Sequence, residues 1–318
     1  MYKKLFVIFL FIFLCAGALS NTAGDSLDID DLWKLFVEYP DSEERADMLI
    51  NIGKLGKGNQ NIIDNVNNYL TGMNYFFSSG MNVDYIMVSA CIAAIMELGD
   101  SSSYPVLFAV LCAGYPEVIV SEAYGALDLI DGNLMQFLSD IIEKNPANEK
   151  FAAFKAGINS QRLSASERGQ IAERALELSF VSGEENADLT AMRYAAINAL
   201  ASLRWTRANA MAIMHYYRVL ADYQENAVSK DRLIEAIACL GAVGNSEAAL
   251  VLGLQLGLIN ARTARTGIFD DEITLALVQA LGLIGDNAAF DHLLFTSNLS
   301  YSENIKSAAA NAINRLKW

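Results

Sequence analysis

Residues able to do chemistry are few in this sequence, and they are scattered. His215 and His292 stand 77 positions apart. Neither belongs to an H-E-x-x-H pair, and there is no C-x-x-C or mixed cysteine and histidine spacing of the kind that holds zinc. No G-x-S-x-G elbow is present to expose a serine nucleophile. Gly56-Lys57-Gly58 lacks the third glycine and the preceding strand of a dinucleotide loop, so its expected role is to end a helix. No acid, base or nucleophile is nominated, and no metal or cofactor is implied, so the expectation is a non-enzymatic protein. The alternative is an enzyme whose groups assemble from distant parts of the chain.

One group of contact residues stands above the background. Arg204, Trp205 and Arg207 are followed closely by His215, Tyr216, Tyr217 and Arg218, in a chain with 23 basic and 37 acidic residues. Arginine, tryptophan and tyrosine combine large contact area with charge or hydrogen bonding, and they dominate binding hot spots. These seven residues form the candidate partner site. The competing assignment has Trp205 shielding a helix end while Tyr216 and Tyr217 divide between core and groove. Arg262, Arg265 and Phe269 make a weaker second group.

The elements that position these residues are legible from a recurring phrase. A small residue and a branched apolar residue are followed by another apolar residue three positions on, and often then by Gly-Asp or Gly-Asn. Copies begin at Ala94, Ala126, Ala199, Cys239, Ala280 and Ala312, with spacings of 32 to 41 residues between neighbours apart from one double interval. A degenerate copy begins at Asn51, and FAAFKAGINSQRL, starting at Phe151, fills the double interval as a weak one. A period of this size marks two-helix units that bury their apolar faces only against one another. The predicted fold is all-α: a solenoid of about six or seven stacked antiparallel helix pairs, running from Leu27 to Trp318 without β-sheet. Only four prolines interrupt the chain, as helices require. Small residues at the phrase let helices approach closely, while Gly99, Gly244 and Gly285 are expected to end helices in the left-handed region. The expected organisation is a signal segment at 1–20, a helical cap with a degenerate repeat at 21–83, and the repeat solenoid at 84–318.

The segment from Asp84 to Leu127 carries a family resemblance. VSACIAAIMELGD is followed by a short turn, the step Tyr104-Pro105-Val106-Leu107, a second helix, and the next copy, EAYGALDLID. This resembles the HEAT family of helical repeats, including the HEAT-like units of phycobilisome lyases. Arg193 and Lys306 stand six residues before Ala199 and Ala312, where that family often has a basic residue, whereas the other copies have Val88, Val120, Leu233 and Thr274 there. The resemblance covers roughly residues 42 to 318. It implies architecture far more than activity, since the family spans scaffolds, transport factors and a few enzymes. A protein-interaction or scaffold module is the favoured reading, with an enzyme or lyase-like factor as the alternative.

Lys3 and Lys4 precede an apolar run from Leu5 to Leu19, the layout of a signal peptide cleaved after Ala18, Ser20 or Ala23. Export to a periplasmic or extracellular space is expected. A lipoprotein modified at Cys15, or a retained membrane anchor, is the alternative. Removing residues 1–20 takes away two lysines and no acid, so the formal charge moves from −14 to −16. Acidity of that size disfavours nucleic acid and anionic lipid. The expected partner is a protein, with membrane contact only through an uncleaved or lipidated N-terminus. Cys91, Cys112 and Cys239 then remain, an odd number, read as small buried hydrophobes with a Cys91–Cys112 bridge as the alternative.

Overall fold

The computed structural model describes residues 28–181 and 186–317. The expected signal segment with Cys15 and its cleavage sites, the predicted solenoid ends at Leu27 and Trp318, and residues 182–185 of a polar loop lie outside the described residues. Within them the chain is all-α, with sixteen α-helices, three short 3-10 turns and no strand. Sixteen helices make eight pairs where the repeat spacing predicts six or seven. The degenerate copies at Asn51 and Phe151 each occupy a full pair.

Two compact units divide at Gly132/Asn133. The first holds α1 (Ile29–Glu38), α2 (Ser42–Leu55), α3 (Gln60–Ser78), α4 (Tyr85–Leu98), α5 (Tyr104–Ala113) and α6 (Glu117–Leu129). Here α2, α4 and α6 pack side by side as one layer and α1, α3 and α5 as the other, each helix also packing on its hairpin partner. The boundary expected at 83/84 runs through this unit, because Gly53 of α2 sits directly against Ala94 of α4.

The second unit holds α7 (Leu134–Lys144), α8 (Ala147–Asn159), α9 (Ala165–Val181), α10 (Ala187–Leu203), α11 (Asn209–Gln224), α12 (Lys230–Val243), α13 (Ser246–Thr266), α14 (Asp271–Ile284), α15 (Phe290–Asn298) and α16 (Glu303–Ile313). One layer runs through α8, α10, α12, α14 and α16. The other contains α7 beside α9, and α11, α13 and α15 in succession. Every copy of the phrase falls on an even-numbered helix, so the repeat marks one of the two layers in each unit.

Close approach explains the phrase. A Cβ on Gly53 would lie 2.6 Å from the Ala94 carbonyl oxygen, one on Gly241 would lie 2.8 Å from Ala280 Cα, and one on Gly282 would lie 2.8 Å from Ala312 Cβ. The glycine two residues into one copy therefore receives the small residue that opens the next, and the two helix backbones touch. Cys239 takes the small slot of its copy and donates its thiol to the Ile197 carbonyl at 3.3 Å. Ile52, Ile95, Leu200, Leu240 and Leu281, each second in its copy, are all completely buried, worth about 1.5–3 kcal/mol apiece relative to exposure. Ala199 departs from this pattern and is only half-buried.

The Gly-Asp and Gly-Asn steps turn one helix into the next. Gly99 and Gly285 have φ of 69° each and end α4 and α14 as expected. Asp100 and Asp286 then cap the following 3-10 turns by accepting from the Ser102 and Ala288 amides. Gly244 differs: its φ is −71°, and glycine is needed there because a Cβ would meet the Leu240 carbonyl and the Ala248 side chain. Asn245 supplies the cap of α13 through the Glu247 amide.

Candidate functional site

The candidate cluster of seven residues divides between the outside and the inside of the second unit. Arg204, in the left-handed region at φ 50°, ends α10 and is exposed, as are Arg207, Tyr217 and Arg218. His215 and Tyr216 are 0% and 1% exposed. They belong to the core between α10, α11 and α12, and cannot touch a partner in this fold. Trp205 stands between these sets. A Cβ on Gly169 of α9 would fall 2.4 Å from its ring, and its Nε1 donates to Glu173 Oε2 at 2.8 Å. Arg207 reaches the same carboxylate at 3.6 Å and lies 5.6 Å from the Trp205 ring. The geometry is that of a latch holding the α10–α11 turn onto α9. Glycine at 169 and glutamate four residues on are the sequence signals for it.

Around His215 lies a buried polar group that the sequence pattern does not reveal. Arg193, the basic residue expected from the family ladder, is 4% exposed and 5.5 Å from the Tyr194 ring, and Arg232 lies 4.3 Å from the same ring. Tyr194 meets His215 edge-on at 5.3 Å. Neither ring nitrogen of His215 has a hydrogen-bond partner, nor does the Tyr194 or Tyr216 hydroxyl. Burial, and then the positive charges of Arg193, Arg218 and Arg232, push the His215 pKa down to about 3. The imidazole is therefore neutral at ordinary pH and screened from solvent, which does not suit a general base.

His292 is not the solvated surface residue its position beside Asp291 suggests. It is half-buried, and its ring fills the space left by Gly253 and Gly257 of α13, where Cβ atoms would come within 3.0 and 2.8 Å of it. Beside it Asn260 donates to the His292 carbonyl at 3.0 Å, while Tyr301 donates to Asn260 Oδ1 at 2.8 Å. Thr263 and Thr296 join the same network. Phe269 stacks edge-on against Tyr301 at 4.6 Å, leaving Arg262 and Arg265 exposed without it. The second contact group is thereby split as well.

Cys91 and Cys239 are buried free thiols, and Cys91 forms no bridge to Cys112, which faces solvent. Burial raises both buried thiols, Cys239 to about 12, so neither is a thiolate at neutral pH. Among the described residues no three His, Cys, Asp or Glu side chains are grouped to hold a metal ion. Also among them, no helix is long and apolar enough to cross a membrane.

What the cluster reading missed is a groove in the first unit. It runs across α2, α4 and α6, has a volume of about 810 Å³, and is lined by Ile50, Ile86, Ala93, Met96, Val118 and Glu122 among others. In the middle of α4 its lining includes the small residues Ser89, Ala90 and Ala93, with Ile86 and Met96 toward the two ends of that helix. At one end stands Tyr85, 6.2 Å and edge-on from Tyr115, which stacks on Phe77 at 4.0 Å. Ile86 and Val118 remain 52% and 69% exposed. In the second unit a smaller groove of about 480 Å³ lies over α8 and α10, lined by Lys155, Arg168, Asn198 and Ser202 beside apolar residues. No family model matches the chain, and no curated protein matches it.

Proposed function

We propose that this is an exported, non-enzymatic, HEAT-like interaction module, and that the α2–α4–α6 groove of the first unit takes a segment of a partner protein. The observation that carries the reading is the open apolar groove itself. Soluble proteins cover apolar surface of this kind unless it serves contact, and repeat architectures use the layer that bears it for extended recognition. The turn at Arg204 supports the reading less well, since His215 and Tyr216 are internal and Glu173 already engages Trp205 and Arg207.

Site-specific photocrosslinking in the native host tests it. A crosslinker at Ile86 or Val118 is expected to trap a protein partner, while one at exposed Leu258 of α13 is not. Equal trapping at all three positions, or none at the groove, overturns the proposal.

A further inference from the structure

We propose that the occupant of the α2–α4–α6 groove is a cationic amphipathic helix of the partner protein, an inference that rests on the groove being the docking site. The shape of the groove suits an apolar helix face. Ser89, Ala90 and Ala93 form a shallow trough in the middle of α4, between Ile86 and Met96 of the same helix, and Ile50 of α2 and Val118 and Ile119 of α6 stand beside it. The groove-lining residues of α4 run from Tyr85 to Met96, about 17 Å at 1.5 Å per residue. That length suits about three turns of a helix laying down an apolar stripe.

The cationic character of the helix follows from charge. Two carboxylates line the groove, Asp47 from α2 and Glu122 from α6. The Oε2 atom of Glu122 is buried without a protein donor, so no cation of the protein neutralises this carboxylate through it. A lysine or arginine on the polar flank of a docked helix would meet the negative charge of Asp47 and Glu122. Of the groove's three helices α2 carries two cations, Arg45, which donates to the Phe36 carbonyl and the Tyr69 hydroxyl, and Lys54; between Lys57 and Lys144 the sequence has no lysine, arginine or histidine, while Asp84, Glu97, Glu117 and Asp128 lie within that span. All of α3, α4, α5 and α6 therefore carry negative charge or none. An acidic peptide, a nucleic-acid backbone or an anionic membrane is repelled, whereas a helix that is both apolar and basic gains on both counts.

The test uses the full chain and fluorescence anisotropy with labelled amphipathic peptides of roughly 15 residues, enough to span the groove along α4. One is built from leucine and lysine, the other from leucine and glutamate. The expected result is that the Leu/Lys peptide binds and the Leu/Glu peptide binds at least about 10-fold more weakly. Removing both carboxylates in the Asp47→Asn, Glu122→Gln double variant is expected to cost the Leu/Lys peptide about 10-fold, with a shallower dependence on salt. Ile86→Ser with Val118→Ser changes only exposed positions, so the fold is retained, and it is expected to abolish binding. If both peptides bind equally and both are lost in the serine double variant, the groove is a docking site but the partner is not selected by positive charge. If the serine double variant leaves binding of both peptides unchanged, the groove is not the site and the docking proposal falls with the charge proposal.

Discussion

Trp205 shows how much a side chain's role depends on what lies beneath it. In sequence it is a hot-spot type between two arginines; in the fold it lies flat on Gly169 with its indole nitrogen held by Glu173. Trp205→Ala is therefore expected to lower stability by about 3 kcal/mol, the low end for a tryptophan truncation because the residue is only half-buried. Arg207→Ala, whose side chain is largely solvent-exposed, is expected to cost less than about 1 kcal/mol. Thermal denaturation of the two variants checks both, and equal losses would refute the latch. His215 gives a second residue-scale expectation. Its folded pKa is depressed to about 3, against about 6.5 in the unfolded chain. Above pH 6.5 it is neutral in both states and contributes no pH dependence. As the pH falls below 6.5 the unfolded state alone takes up the proton, so stability declines until the folded pKa is reached. Between pH 6.5 and 5, above the range where carboxylates titrate, this amounts to about 2 kcal/mol. His215→Leu is expected to flatten that part of a urea-denaturation profile; an unchanged slope would show that the histidine is not buried against Arg193, Arg218 and Arg232.

At the scale of the helix, the contact between a glycine of one copy and the small residue of the next sets the spacing of a layer. Ala280 is 1% exposed and touches Gly241, so Ala280→Leu has no room and is expected to destabilise by about 1–3 kcal/mol through overpacking. Ala199 occupies the same place in its own copy, yet it is half-buried on the groove over α8 and α10. Ala199→Leu is expected to cost less than about 1 kcal/mol, as substitutions at partly open positions do. Chemical denaturation of the pair distinguishes them, and equal loss would mean that the α10 copy is packed as tightly as the α14 copy. The same geometry explains Gly244, whose small size matters for packing and whose backbone is ordinary.

At the scale of the whole molecule, the charge and the N-terminal segment bear on where the protein works and what it meets. The apolar run behind Lys3 and Lys4 leads to a proposal that the mature chain begins near Leu19, Asn21 or Gly24. N-terminal sequencing from the native host is expected to find one of these; recovery of Met1 would refute cleavage, and a diacylated Cys15 would make the protein a lipoprotein. The acidic surface is unevenly distributed. The second unit places Arg174 between Glu143 and Glu177 and pairs Lys230 with Asp270 and Glu272, whereas α3 to α6 hold no cation at all. Attraction for a basic partner is accordingly strongest on the first unit.

The sequence alone determined the helical class, the layer that carries the repeat and the turns at Gly99 and Gly285, because these follow from local spacing and from the conformations a residue allows. It also marked Arg193, though as a member of a ladder and not as a buried cation. Tertiary structure decided the rest. Whether Tyr216 or Tyr217 faces inward depends on which side of α11 meets α12, and the seating of Trp205 depends on a glycine 36 residues earlier. The groove has no signature of its own in the sequence, because Ser89, Ala90 and Ala93 look like ordinary helix residues. They line a groove only when α2 and α6, far apart along the chain, are brought against the two flanks of α4.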